Sequence, residues 1–290
     1  MRSLLFVPGD DERKLAKALT SDADGLIVDL EDSVAAAAKP AARARAAAFL
    51  AEARRRSASP RLYVRINGFN GGMTDGDLDA VLPAAPDGIV LPKCQGGADV
   101  QRLGAMLALR EAELGLVDGS TRIVAIATES ARALFGFASY AGASRRLEGL
   151  AWGGEDLAAD LGAESNRLPG GDYAGPYALA RTLTLLGAVA AGALPIDAVY
   201  ANFRDLDGLR AEALAARRDG FVAKLAIHPA QASIINEVFC VPPETIARAR
   251  AVVAAFANHP GAGVVALDGE MLDLPHLERA KRTLARAGEA

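Results

Sequence analysis

The chain has 290 residues, 51% apolar and 23% charged, which is material for one large core, and no apolar run approaches the roughly 20 residues that a membrane-spanning helix needs. A net charge of −4 speaks against general affinity for nucleic acid or an acidic membrane, so anionic ligands must be met by local basic groups. Early charges at Arg2, Asp10 and Asp11 do not read as a signal peptide, and two cysteines are too few for a disulfide framework. A cytoplasmic protein is expected, with Cys94 and Cys240 as inert packing.

Eight short β-branched or apolar runs follow one another with helical patterns between them: "SLLFVPG", "GLIVDLED", "RLYVRIN", "GIVLPK", "RIVAIATE", "GLAWGG", "IDAVYAN" and "AKLAIHP". The Ala-rich stretch 41–53 is a strong helix former. Leu103, Met106, Leu107 and Leu114 recur at the three- and four-residue spacings of one apolar helix stripe. Near-continuous apolar strands are covered on both faces, and eight βα units predict an α/β fold, a closed (β/α)8 TIM barrel over 1–232. An open doubly wound sheet is the rival, but "FVPGDDER" lacks the glycine-rich turn that such a sheet places after its first strand. Residues 233–290 are expected to form a small C-terminal α/β extension. It consists of a helix over 243–257, two short strands around the Asp-Gly turn of "VVALDGEML", and a closing helix in "PHLERAKRTLARA".

Barrel active sites lie at the C-terminal ends of the strands. There this chain supplies Asp29, Glu31 and Asp32 after strand two, Arg65 and Asn67 after three, Lys93 after four, Glu129 after five and Asp156 after six. Carboxylates gathered at one mouth repel each other unless protonated, paired or bridged by a metal. Glu129 and Asp156, at successive strand ends, are the expected ligands of a hard divalent ion, since two carboxylates with water and substrate oxygens are how Mg2+ is commonly held. The alternative is that Asp156 and Ser130 cap the following helices. Glu155 is expected to be solvated. Arg65 is expected to grip a substrate carboxylate with two parallel hydrogen bonds, the alternative being a salt bridge to Asp32 or Glu31. Lys93 reads equally as a substrate group or as a partner of those acids. His228, His259 and His276 show no zinc spacing, and His228 is expected to be structural. No P-loop, G-x-S-x-G elbow or C-x-x-C is present.

Together "RSLLFVPGDDERKLAKAL", "ADGLIVDLEDSV", "LYVRIN", "DGIVLPK", "ATES", "GGEDLA", "IHPAQ" and "LDGEMLDLP" resemble, nearly end to end, the citrate lyase β-subunit family. That family also holds malyl-CoA and citramalyl-CoA lyases, within the HpcH/HpaI aldolase superfamily. The resemblance implies a Mg2+-dependent carbon–carbon lyase that cleaves, or forms, a β-hydroxyacyl-CoA from a 2-keto acid and an acyl-CoA. It places the metal on Glu129 and Asp156 and the keto-acid carboxylate on Arg65. It makes Asp273 of a neighbouring subunit the proton donor, and hence the protein a homo-oligomer, trimer or hexamer; the alternative for Asp273 is service to the last helix. Glu31, Asp32 and Lys93 are assigned to substrate binding, and Lys39 is chosen among the N-terminal basic residues for the CoA phosphates. The chain carries "DLEDS" where the aldolase branch carries a "GEHAP"-type histidine, which argues for acyl thioesters. Other readings are a citrate lyase complex subunit working on a carrier-protein thioester, a metal-dependent 2-keto acid aldolase, and a non-catalytic barrel scaffold.

Overall fold

The computed structural model of the chain describes residues 1–56 and 59–289. The contacts divide them into two compact units, Met1–Val238 and Phe239–Ala290.

In the first unit eight parallel strands close in sequence order: β1 (Ser3–Pro8), β2 (Gly25–Asp29), β3 (Arg61–Arg65), β4 (Gly88–Leu91), β5 (Arg122–Ile126), β6 (Leu147–Ala151), β7 (Leu194–Asp197) and β8 (Ala223–Ala226). β1 pairs with both β2 and β8, which completes the barrel. All five residues of β2 are buried, as expected of a strand covered by side chains within and helices without. Leu4, Ile27, Val90, Val124, Ile196 and Leu225 fill the interior. Near its floor Tyr63 occupies the space left by Gly88, where a Cβ would lie 2.7 Å from the ring and 2.9 Å from the Arg122 carbonyl oxygen. Only glycine fits there.

The outer helices include α1 (Glu12–Ala18), α2 (Lys39–Ala53), α3 (Thr74–Val81), α4 (Gly97–Leu114), α5 (Ala131–Leu134), α6 (Glu155–Leu161), α7 (Gly175–Ala190), α8 (Leu206–Asp219) and α9 (Pro229–Phe239). α9 is the helix of the eighth βα unit, so the first unit runs on past residue 232. On α4 the buried stripe is Val100, Leu103, Leu107 and Glu111, while Leu114 is exposed. The apolar stripe therefore ends on a buried carboxylate, whose partner Arg146 is equally buried. Among the described residues no helix is long and apolar enough to cross a membrane.

The second unit contains α10 (Pro243–Ala257), the antiparallel pair β9 (Val264–Leu267) and β10 (Glu270–Asp273), and α11 (Leu274–Arg286). Ala249, Val252, Phe256, Val265, Leu272 and Ala280 form its core. The hairpin turns on Asp268 and Gly269, both at positive φ (53° and 79°), the conformation that favours Asp-Gly in a two-residue turn. Cys94 is buried against the Tyr140 hydroxyl, but Cys240 is exposed, so only the first is a packing residue.

Candidate active site

Strand ends bring the polar residues of the mouth together. Asp29, the last residue of β2, lies beside Arg65, the last of β3, and the two form parallel hydrogen bonds: Arg65 Nε to Oδ1 at 2.7 Å and Nη2 to Oδ2 at 2.6 Å. Arg65 Nη1 also reaches Glu31 Oε2 at 3.0 Å. The guanidinium thus has structural partners, chiefly Asp29 rather than Asp32, while lining a cavity with Glu129 and Asp156. Burial works against the Asp29 charge, but Arg65 overcomes it and holds the carboxyl below its ordinary range.

Lys93 follows β4 with a left-handed backbone, φ +53°, unusual for a residue with a side chain. This turn directs its N–H to Glu129 Oε2. Its ammonium bonds Glu31, lies 3.3 Å from Asp32 and 3.6 Å from Asp156, so one residue touches four of the acids. Glu31, Asp32 and Lys93 therefore stand at the mouth as expected, already engaged with one another.

The β5 and β6 ends are tied together by Thr128, whose hydroxyl donates to the Gly153 carbonyl and accepts from the Gly153 N–H, both at 3.0 Å. Glu129 and Asp156 follow from the two sides of that tie. Gly153 lies against Glu129, where even a Cβ would be 3.5 Å from Cγ. Ser130 does cap α5, accepting from Ala133 N–H. Asp156 caps nothing: Gly154 is the N-cap of α6 and no side chain bonds the helix start. Asp156 instead faces the cavity and Lys93. Glu155 is exposed and accepts a hydrogen bond from Asn166.

Five carboxylates (Asp29, Glu31, Asp32, Glu129, Asp156) thus meet two cations, Arg65 and Lys93. Glu129 feels the imbalance most. Burial, with Asp156 and Glu31 adding to it, pushes its carboxyl up to about 8 against the bond from Lys93. Burial likewise raises Glu31, whose enclosed Oε2 has the Arg65 ion pair but no aligned hydrogen bond. Excess negative charge on hard oxygen donors, in a cavity lined by no histidine or cysteine among the described residues, suits Mg2+. Among the described residues no three His, Cys, Asp or Glu side chains are set to hold a metal by themselves, which leaves a two-carboxylate site completed by water and substrate. Glu129 and Asp156 are the fitting pair.

The cavity measures about 140 Å3. Phe6, Ile126, Trp152 and Leu225 are its apolar wall; Asn166, Arg167 and Tyr173 come from the loop between α6 and α7. That wall was not marked in the sequence. "SNRLPGGDY" held the signal, a loop following the helix that begins with Asp156, with an arginine and an aromatic residue.

Two expected residues have partners within the chain. Lys39 is buried, and its ammonium donates to the Leu30 carbonyl (2.8 Å), the Glu31 carbonyl (2.9 Å) and Asn67 Oδ1 (2.7 Å). All three donors are used, so in this structure Lys39 pins the β2 and β3 loops and offers nothing to a phosphate. Asp273 is the N-cap of α11 in a reciprocal capping box with His276. The His276 side chain, bonded to it, holds its carboxyl below the ordinary range. His228 accepts from Ala230 N–H and stacks on Phe203, the structural role expected.

Residues 2–229 match the family described as HpcH/HpaI aldolase/citrate lyase, and residues 180–289 match a C–C bond lyase family of the TIM-barrel fold. The chain is 37% identical to a (3S)-malyl-CoA thioesterase of Cereibacter sphaeroides, over 99% of this chain and 94% of that protein. It is 32% identical to the mitochondrial citramalyl-CoA lyase of Rattus norvegicus, over 99% and 86% respectively. Its fold is similar to that of Mycobacterium tuberculosis CitE in complex with magnesium, acetoacetate and coenzyme A, with a TM-score of 0.75, 35% identity and coverage of 99% and 98%.

Proposed function

The chain belongs to the HpcH/HpaI aldolase/citrate lyase family, and from that premise we propose that it is a Mg2+-dependent carbon–carbon lyase. It cleaves, or forms, a β-hydroxyacyl-CoA such as malyl-CoA, citramalyl-CoA or citryl-CoA, with a 2-keto acid and an acyl-CoA on the other side of the reaction. One observation carries this reading: Arg65, Glu129 and Asp156, from the third, fifth and sixth βα units, line a single cavity.

Mg2+ held by Glu129 and Asp156 supplies a Lewis acid that polarises the oxygens of the keto-acid half and stabilises charge developing on them. Arg65 binds the carboxylate of that half. Its two bonds to Asp29 fix the guanidinium plane and leave further N–H groups for the ligand. Lys93 holds the Glu129 carboxylate by its main chain and balances Glu31 with its ammonium. The apolar wall keeps water from the acyl carbon when the carbon–carbon bond opens.

The enolate must be protonated. In this reading Asp273 of a second copy does so, within a cytoplasmic homo-oligomer, trimer or hexamer, where burial against the other subunit opposes the His276 bond and raises the carboxyl so that it can carry a proton. In support, Asp273 pairs with Val264 and Met271 with Ala266 on one face of the hairpin, and Val264 and Met271 are 51% and 72% exposed. An apolar face around an acid suits burial against another subunit. Light scattering tests the assembly. Turnover unchanged in Asp273→Ala would leave Asp273 with its capping role alone.

The decisive measurement is a screen of CoA thioesters for keto-acid release with Mg2+ and with EDTA. Thioester hydrolysis is the second reading, favoured by the malyl-CoA thioesterase relative; it releases free CoA thiol and no keto acid. Turnover only on a carrier-protein thioester would indicate a complex subunit, and turnover of free hydroxy-keto acids an aldolase.

A further inference from the structure

Behind the cavity's aromatic wall lies a circuit of polar groups that the reaction does not itself use. Trp152 donates its indole N–H to Asp197 Oδ1 at 2.8 Å. Asp197 Oδ1 also accepts from Arg181 Nε at 3.2 Å, Asp197 Oδ2 accepts from Lys224 Nζ at 2.8 Å, and the same ammonium donates to Glu212 Oε1 at 2.8 Å. Glu212 Oε2 accepts from Arg167 Nη2 at 2.7 Å, and Arg167 donates to the Tyr173 hydroxyl at 2.7 Å while stacking on that ring at 4.0 Å. Tyr173 closes the circuit by meeting Trp152 edge to face, with ring centroids 4.8 Å apart. Three members, Trp152, Arg167 and Tyr173, line the cavity. The other three, Asp197, Lys224 and Glu212, belong to β7, β8 and α8.

Lys224 and Asp197 are almost wholly enclosed. Taking an ammonium and a carboxylate out of water is unfavourable, and an apolar pair of similar volume often serves stability as well or better. Stability alone is therefore a weak reason for this pair. What an apolar pair cannot provide is direction. A leucine at 197 would leave the indole N–H without an acceptor, and a methionine at 224 would release Glu212 from one of its two cations.

We propose that Asp197 and Lys224 are positioning residues that fix the Trp152–Tyr173–Arg167 wall, and through it the fit of the substrate beside Arg65 and the metal carboxylates. They touch no reacting atom. Asp197 sets the indole ring plane through one hydrogen bond. Lys224 sets Glu212, and Glu212 sets the Arg167 guanidinium over Tyr173.

The kinetic half of the test rests on the lyase reading; the spectroscopic half does not. Trp152 is the only tryptophan of the chain, so its emission reports the wall directly. The double variant Asp197→Leu/Lys224→Met keeps an apolar pair where the ionic one stood. It leaves Arg181 with Asp219 and Glu212 with Arg167 as partners, and is expected to melt cooperatively at a lowered midpoint, with a shifted Trp152 emission maximum and a broadened lifetime distribution. KM for the thioester is expected to rise about tenfold while kcat changes less than threefold. In a Trp152→Phe background, which lacks the N–H, Asp197→Leu should add nothing further to KM. Should the double variant fail to fold, Asp197→Asn, of native size, is read for the same emission and KM changes. A folded variant with native emission and native KM overturns the proposal, as does full additivity in the Trp152→Phe background. A shifted emission in a chain whose wild type turns over no thioester upholds the wall assignment and defeats the lyase reading.

Discussion

At the floor of the barrel Arg61 pairs with Glu148, which also accepts from the Tyr63 hydroxyl, while Arg146 pairs with Glu111 and shares Asp118 with Arg145. At the mouth five carboxylates share Arg65 and Lys93. The two ends use the same residue types to opposite purpose. Balanced pairs at the floor fix the strands, and their charges are fully answered from within the chain. Unbalanced acids at the mouth leave a charge that a proton on Glu129 or a bound cation must answer, which is how a site differs physically from a scaffold.

Glu129→Gln should break this contrast most. It keeps the shape and hydrogen-bonding ability of the side chain while removing the least compensated charge. Catalysis is expected to fall about a thousandfold or more, and Mg2+ should no longer raise the melting temperature, which it should do for the wild type by mass action. Melting curves with and without Mg2+ check the second effect independently of any substrate. Arg65→Lys comes next, with kcat/KM for the thioester expected to fall about a hundredfold, because an ammonium cannot reproduce two parallel bonds to Asp29 and a carboxylate together. Steady-state kinetics in the synthetic direction, with the keto acid varied, isolate that loss.

Much of the mouth was legible because a barrel turns position into meaning: a polar residue at the C-terminal end of a strand faces the site whatever its neighbours. Glu129, Asp156, Arg65, Lys93 and Glu31 stand at the mouth for that reason. Lys39 was misread since its partners are mostly backbone carbonyls of Leu30 and Glu31, which no residue pattern announces. Asp29 was seen at its strand end but not as the partner of Arg65, a pairing set by the β2–β3 register rather than by spacing along the chain. Lys224 read as an ordinary strand residue, because Asp197 and Glu212 reach it from 27 and 12 residues away. The same holds for Glu111 on α4, where helical spacing fixed the buried face but not that the face would carry a charge.

At the floor the effects fall on stability and not on turnover. Burial opposes the Glu111 charge, yet Arg146 and the N–H groups of Gly119 and Thr121 bring its carboxyl down to about 2. A group held low in the folded chain contributes stability that is complete above its unfolded value, about 4.3, and is lost as pH falls towards 2. The wild type should therefore lose stability through that window. Glu111→Gln should flatten the acid limb and lower stability at neutral pH by about 3 kcal/mol, the scale of a broken buried pair. Urea unfolding at pH 7, 4 and 3 separates the two variants.

Glu148→Gln should have the smallest effect and sharpens the comparison best. Arg61 is more than a third exposed, so water can take over part of what the carboxylate gave it, whereas Arg146 has no such recourse. Gln keeps an acceptor for the Tyr63 hydroxyl, whose ring stays locked against Gly88 by packing. The expected loss is about 1 kcal/mol, read as a shift of a few degrees in melting temperature, with kcat/KM and Mg2+ affinity unchanged. A change in either of those would mean that charge at the floor is felt through the packed interior at the mouth, and the two ends would then have to be treated as one electrostatic unit.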